Sequence, residues 1–141
     1  MTRELRRPNS RTPDRRKEQG NRGEDLAASY LRRQGLTLVQ RNYRCRIGEL
    51  DIIARLDDTL IFVEVRSTTT GYLESPMISV NERKQKKVTD TARWFVQHAR
   101  LHHLNVRFDV VAVEFGQEKA RITWIPDAFR PEPTARKGSY R

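Results

Sequence analysis

Glu49, Asp51, Glu64 and Arg66 lie in a stretch, 48-GELDIIARLDDTLIFVEVRS-67, whose other residues read mostly as protein interior. The runs 49–55 and 60–66 are rich in Ile, Val, Leu and Phe, and the Asp57-Asp58 pair between them is turn chemistry, so the stretch predicts an antiparallel hairpin. A two-residue loop at 57–58 makes paired positions sum to 115, which sets Asp51 opposite Glu64 and Glu49 opposite Arg66. Side chains alternate between faces, giving one apolar core side of Leu50, Ile52, Ala54, Ile61, Val63 and Val65. The other side carries Ile53 and Phe62 near the turn and the four charged residues at the far end. Opposed like charges destabilise a strand pair, and two carboxylates in a partly dry site cannot both ionise cheaply. A divalent metal between them would resolve the conflict.

The elements that must hold these residues follow from periodicity and punctuation. Leu26, Ala27, Tyr30 and Leu31 make the apolar stripe of a helix over about 22–34, with Asn21 as its cap and Gly35 as its stop. Residues 36–43 read as a first strand, ahead of the hairpin. Residues 67–80, STTTGYLESPMISV, read as a long loop near the polar end of the sheet. Ser79 and Glu82 suggest a capping box for a second helix over about 82–103, burying Val88, Ala92, Phe95, Val96 and Ala99. A strand over 106–115 turns at Gly116 and pairs with 121–125. The order α-β-β-β-α-β-β predicts an α/β fold, a mixed central sheet flanked by helices. The segments 1–19 and 131–141 carry few apolar side chains and are expected to be flexible, basic tails around one domain over 20–130.

A chain of 141 residues, 36% hydrophobic, supports one modest core. The net charge of +10 is concentrated: +4 in residues 1–20, +4 in 82–100 and +2 in 131–141, leaving the rest neutral. The basic run Arg83, Lys84, Lys86 and Lys87 on the second helix favours a polyanionic partner, nucleic acid above all, over a purely solvated face. The single Cys45 permits no internal disulfide, which suits a reducing compartment. No apolar run approaches bilayer length and the first twenty residues lack the apolar segment of a signal peptide, so a soluble cytoplasmic protein without a membrane partner is expected.

Gly48-Glu49-Leu50-Asp51 and Phe62-Val63-Glu64-Val65-Arg66, preceded by Gly20-Asn21-Arg22-Gly23-Glu24, resemble the motifs of the bacterial YraN-like family. Lys84-Gln85 with Lys87, and Arg107-Phe108-Asp109-Val110-Val111, extend the resemblance over about residues 20–129. That family is grouped with Holliday-junction resolvases in the PD-(D/E)xK nuclease superfamily. The resemblance implies a restriction-endonuclease-like core, a homodimer and DNA as the partner. Asp51 would match the superfamily's Asp, Glu64 its second acidic residue and Glu24 the helix glutamate of resolvases, all three as ligands for Mg²⁺ or Mn²⁺. Glu49 would be either a further site member or the salt-bridge partner of Arg66. Arg66 departs from the pattern, which ends in Lys. Arginine stays charged and cannot act as a general base, but can hold a phosphate by a forked contact. Lys84 or Lys87 could approach the site in its place.

The resulting expectation is a nuclease-like nucleic-acid-binding protein, a metal-dependent endonuclease acting on branched or non-duplex DNA with Glu24, Asp51, Glu64 and Arg66 at its centre. The rivals are a noncatalytic module that keeps the fold and, less favoured, a protein-interaction adaptor. His98 and His102 have the spacing of a helical metal pair but lack a third ligand and read as surface residues; Trp94 and Phe95 read as packing. Asp109 is either structural or a further acidic site residue.

Overall fold

The computed structural model describes residues 15–69, 80–116 and 118–131. Five strands form one sheet in the order β1-β2-β3-β4-β5: β1 Thr37–Arg44, β2 Glu49–Leu56, β3 Thr59–Thr68, β4 Asn105–Glu114 and β5 Arg121–Ile125. β3 and β4 are parallel and the other neighbours antiparallel. With α1 Arg15–Arg33 and α2 Glu82–Ala99, the order is α-β-β-β-α-β-β, an α/β restriction-endonuclease-like core. The parallel pair requires a crossover, and α2 lies within it. No helix among the described residues is long and apolar enough to cross a membrane.

Each face of the sheet buries one helix. Ala27, Ala28 and Leu31 of α1 pack with Ile52, Ala54, Ile61, Val63, Val111 and Val113, and α1 touches all five strands. Val88, Ala92 and Phe95 of α2 pack with Leu50, Ile53, Leu60, Phe62 and Phe108 on the opposite face. Each fully buried large side chain contributes about 1.5–3 kcal/mol.

The hairpin register is the expected one: Leu56 pairs with Thr59, Ile53 with Phe62 and Ile52 with Val63, around a turn in which Asp57 takes the left-handed region at φ 51°. Both faces of the hairpin are core, however, and Leu50 packs under α2, away from Ile52 and Ala54. Opposite the switch, between the pairs Arg41–Ile52 and Tyr43–Leu50, Asn42 of β1 is left-handed at φ 51°; a separate register shift lies between Leu38 and Gln40.

The helix boundaries differ from expectation. α1 spans Arg15–Arg33, so Asn21 is an exposed residue within the helix and not its cap, while Gly35 at φ 95° ends it as expected. The cap of α2 is Asn81, whose side chain accepts from Lys84 N at 2.8 Å; Ser79 lies outside the described residues. α2 stops at Ala99 because Arg100 turns left-handed (φ 56°) and Leu101 N donates to Val96 O, which turns Leu101 and Leu104 into the core. Ala99 is exposed, Val96 half-buried, and Thr89 and Thr91 take buried places instead. The segments 1–14 and 132–141 of the expected tails, and 70–79 of the expected loop, lie outside the described residues.

Candidate functional site

Three carboxylates from three elements meet in a chain centred on Asp51. Glu24 comes from α1, Asp51 from β2 and Glu64 from β3. Gly23 eases the approach of α1: a Cβ there would overlap Ser67 Oγ on β3 unless that side chain moved, so glycine helps bring the next residue, Glu24, down against the sheet. Asp51 is held by its Oδ2, which accepts from Val65 N at 2.9 Å beyond the last Ile52–Val63 pair of the hairpin. Glu64, 4% exposed, points to the α2 face, where Lys84 Nζ lies 3.6 Å from its Oε2. Gly48 seats the β1–β2 connection against α2, since a Cβ there would lie 2.7 Å from Thr91 Oγ1 and 3.4 Å from the Lys87 chain.

Burial and mutual repulsion dominate the electrostatics. Desolvation, then the charge of Asp51, pushes Glu64 up to about 7 against the opposing pull of Lys84 and Arg66. Desolvation and Asp51 likewise push Glu24 up to about 7, although Arg41 and Asn42 favour its ionised form. Hydrogen bonding between the neighbouring Glu24 and Asp51 side chains adds to the rise of Glu24 and works against that of Asp51. Asp51 itself is raised by burial, with the Val65 amide and Lys84 acting against the rise.

Glu24 and Asp51 border an open cleft of about 460 Å³, formed also by Gln19, Gly20, Val65, Ser67, Thr68 and Thr69, whereas Glu64 lies on the Lys84 side of Asp51 and does not line it. Among the described residues no three His, Cys, Asp or Glu side chains close into a metal-binding group. Asp51 with a neighbouring glutamate, opening on a cleft, instead offers the donor set that suits Mg²⁺, which takes one or two carboxylates and keeps its remaining places for water and phosphate oxygens.

Glu49 lies apart from the chain. It is exposed and paired with Arg44 across β1–β2 at 3.5 Å, not with Arg66 as the register had suggested. Arg66 is half-buried, and its Nε is buried without a hydrogen-bond partner. Arg83, Lys84, Lys86 and Lys87 are all exposed on the first turns of α2, and of these Lys84 is the one joined to the carboxylates. His98 stacks on Trp94 with ring centres 4.1 Å apart, and His102 lies beyond the end of the helix, so the two do not form a helical pair. Phe95 is core, edge-on to Tyr43 and Phe62.

Two residues went unnoticed in the sequence. Arg41 NH2 contacts Asp25 at 2.7 Å and Glu24 at 3.9 Å, and its Nε is another buried donor without a partner. The Asn42 amide, oriented to satisfy both its ends, donates to Glu24 Oε2 at 2.9 Å. An asparagine inside a strand pattern was the available signal, because Asn tolerates the left-handed conformation that aims it here.

The profile of uncharacterised protein family UPF0102 matches residues 23–113. The chain belongs to the UPF0102 family. The UPF0102 protein of Syntrophus aciditrophicus is 44% identical over 110 residues, covering 78% of this chain and 87% of the relative. Those of Geobacter metallireducens and Clostridioides difficile are 38% and 39% identical, each over 113 residues, covering 80% of this chain and 93% and 97% of the relatives. The UPF0102 match begins one residue before Glu24 and takes in Asp51, Glu64, Arg66 and the start of α2.

Proposed function

We propose that this UPF0102 protein binds nucleic acid and hydrolyses phosphodiester bonds in branched or otherwise non-duplex DNA, with Mg²⁺ or Mn²⁺ held by Asp51 together with one of its neighbouring glutamates, Glu24 or Glu64. The observation that carries this reading is Asp51 at an open cleft beside Glu24, which is raised to about 7, with Glu64, also raised to about 7, on the Lys84 side of Asp51. Carboxyls raised in this way beside a cleft are suited to a cation and a phosphate. When bound, the metal would lower the pKa of a coordinated water and offset charge on the phosphate.

The protein's own groups have separable tasks. Lys84, whose backbone N donates to the Asn81 cap and whose Nζ lies 3.6 Å from Glu64, would serve as the cation in place of the missing motif lysine. Arg66 stays charged and offers a forked phosphate contact. Arg83, Lys86 and Lys87 line the exposed turn along which a backbone would run. A homodimer would present two such clefts, related by symmetry, to a symmetric junction.

A second reading, a noncatalytic module, is favoured by one observation: Lys84 already offsets part of the Glu64 charge without a metal. Incubating the protein with junction, flap, single-stranded and duplex DNA in Mn²⁺ decides between them. Cleavage by wild type and not by Asp51→Asn is expected. Salt-sensitive binding with no cleavage by either wild type or Arg66→Lys would favour the module.

A further inference from the structure

We infer that the carboxylate cleft continues into a pocket that takes an unpaired nucleobase beside the reacting phosphate, so that the substrate must offer an unstacked nucleotide there. The inference rests on the nucleic-acid reading above and specifies its substrate. A second hollow, about 320 Å³, shares Gln19 and Thr69 with the carboxylate cleft and runs along α1 to Phe115. The two are tied together by the backbone, because Phe115 N donates to Thr68 O at 2.8 Å and Thr68 lines the first cleft. The Phe115 ring edge also lies 3.9 Å from where a Cβ on Gly23 would sit, one residue from Glu24. A strand with its phosphate at the carboxylates therefore has an adjoining nucleotide within reach of this hollow.

The lining suits a base and disfavours a phosphate. The Arg22 guanidinium lies 5.2 Å over the Phe115 ring centre, and such an arginine–aromatic layer is a platform on which any base can stack. Glu18 and Glu118 border the hollow; they repel a phosphate but accept hydrogen bonds from the exocyclic amines of bases. A base inside a duplex is stacked on both faces and cannot enter, which makes an unpaired nucleotide the ligand.

The test uses the full chain without divalent metal and two oligonucleotides of equal phosphate count. Each is a duplex with a single-stranded extension, intact in one and with abasic sites in place of the unpaired bases in the other. Wild type is expected to bind the intact extension about 5- to 140-fold more tightly, the range for stacking one base. Phe115→Leu and, independently, the exposed-residue variant Arg22→Gln should each bring that ratio toward one. The ratio in wild type should persist as salt is raised, since stacking releases no counterions. Equal binding of the two oligonucleotides by wild type, or a ratio unchanged in both variants, would overturn the pocket while leaving the nucleic-acid reading in place. Failure of wild type to bind either oligonucleotide would overturn both.

Discussion

Asp109 and Asp51 are both acidic residues on strands of the same sheet, and their surroundings are opposite. Asp109 is 0% exposed, yet its two oxygens accept four hydrogen bonds: from Arg107 Nε and NH2 at 2.9 Å each, from Trp124 Nε1 at 2.8 Å and from the Asp127 amide at 2.9 Å. It ties β4 to β5 and the chain that follows, with its charge met in full. Asp51 accepts from one backbone amide and otherwise sits between two glutamates, with Lys84, Arg66 and an Arg41 shared with Asp25 acting on the three carboxyls, two of which still rise to about 7. Burial of a carboxyl therefore does not distinguish structure from function here; the number of donors it accepts from and the carboxyls beside it do.

Breaking the two sites should show this in stability. Asp109→Ala leaves Arg107 and the Trp124 indole without their acceptor and should cost about 3–5 kcal/mol in denaturant unfolding. Asp51→Asn removes repulsion and should be neutral or stabilising in EDTA. A comparable loss from both would erase the distinction.

The pH dependence separates the sites next. A carboxyl whose folded pKa is raised favours the protonated folded state, so its contribution is fully present below the unfolded value of about 4.5. It is lost as pH rises toward about 7, the value for Glu24 and Glu64. Relative to Glu64→Gln, wild type should lose on the order of 1–3 kcal/mol across that window. A flat difference across that range would show that Glu64 is not short of charge.

Gly23→Ala probes how the helix delivers Glu24. The added Cβ must displace Ser67 or lift α1, at about 1–3 kcal/mol in thermal or denaturant unfolding, and should move the Glu24 titration toward the ordinary glutamate range. On the outside of α2 the effect should be on binding alone. Replacing Lys84, Lys86 and Lys87 by Ala should weaken DNA binding and flatten log K against log salt by about 0.7–0.9 per lost contact. An unchanged slope would make the run a solvated face.

Much of this was legible in the sequence, unevenly. The hairpin register followed from side-chain alternation and the Asp57-Asp58 turn, so Asp51 and Glu64 were brought near each other correctly. Glu24 and Lys84 were also among the residues named, the latter as a cation that could stand in for the missing lysine. What escaped depended on single backbone torsions or distant partners. Asn42 at φ 51° accompanies the switch in the face of Leu50, and Arg100 at φ 56° ends α2 early. The partners of Asp109 include Trp124 and Asp127, 15 and 18 residues away, which no local pattern joins to it, although Arg107 two residues before was a fair hint. The cap of α2 was expected at Ser79, and Asn81 provides it instead.

Mn²⁺ titration of wild type and Asp51→Asn at pH 6, following melting temperature and proton release together, tests the charge deficit most directly. With both glutamates raised to about 7, binding to wild type should release protons and, at about 100 times the dissociation constant, raise the melting temperature by roughly 10 °C. Asp51→Asn should show neither. An equal rise in both proteins, or binding to wild type with no proton released, would contradict a shared cation at these carboxylates.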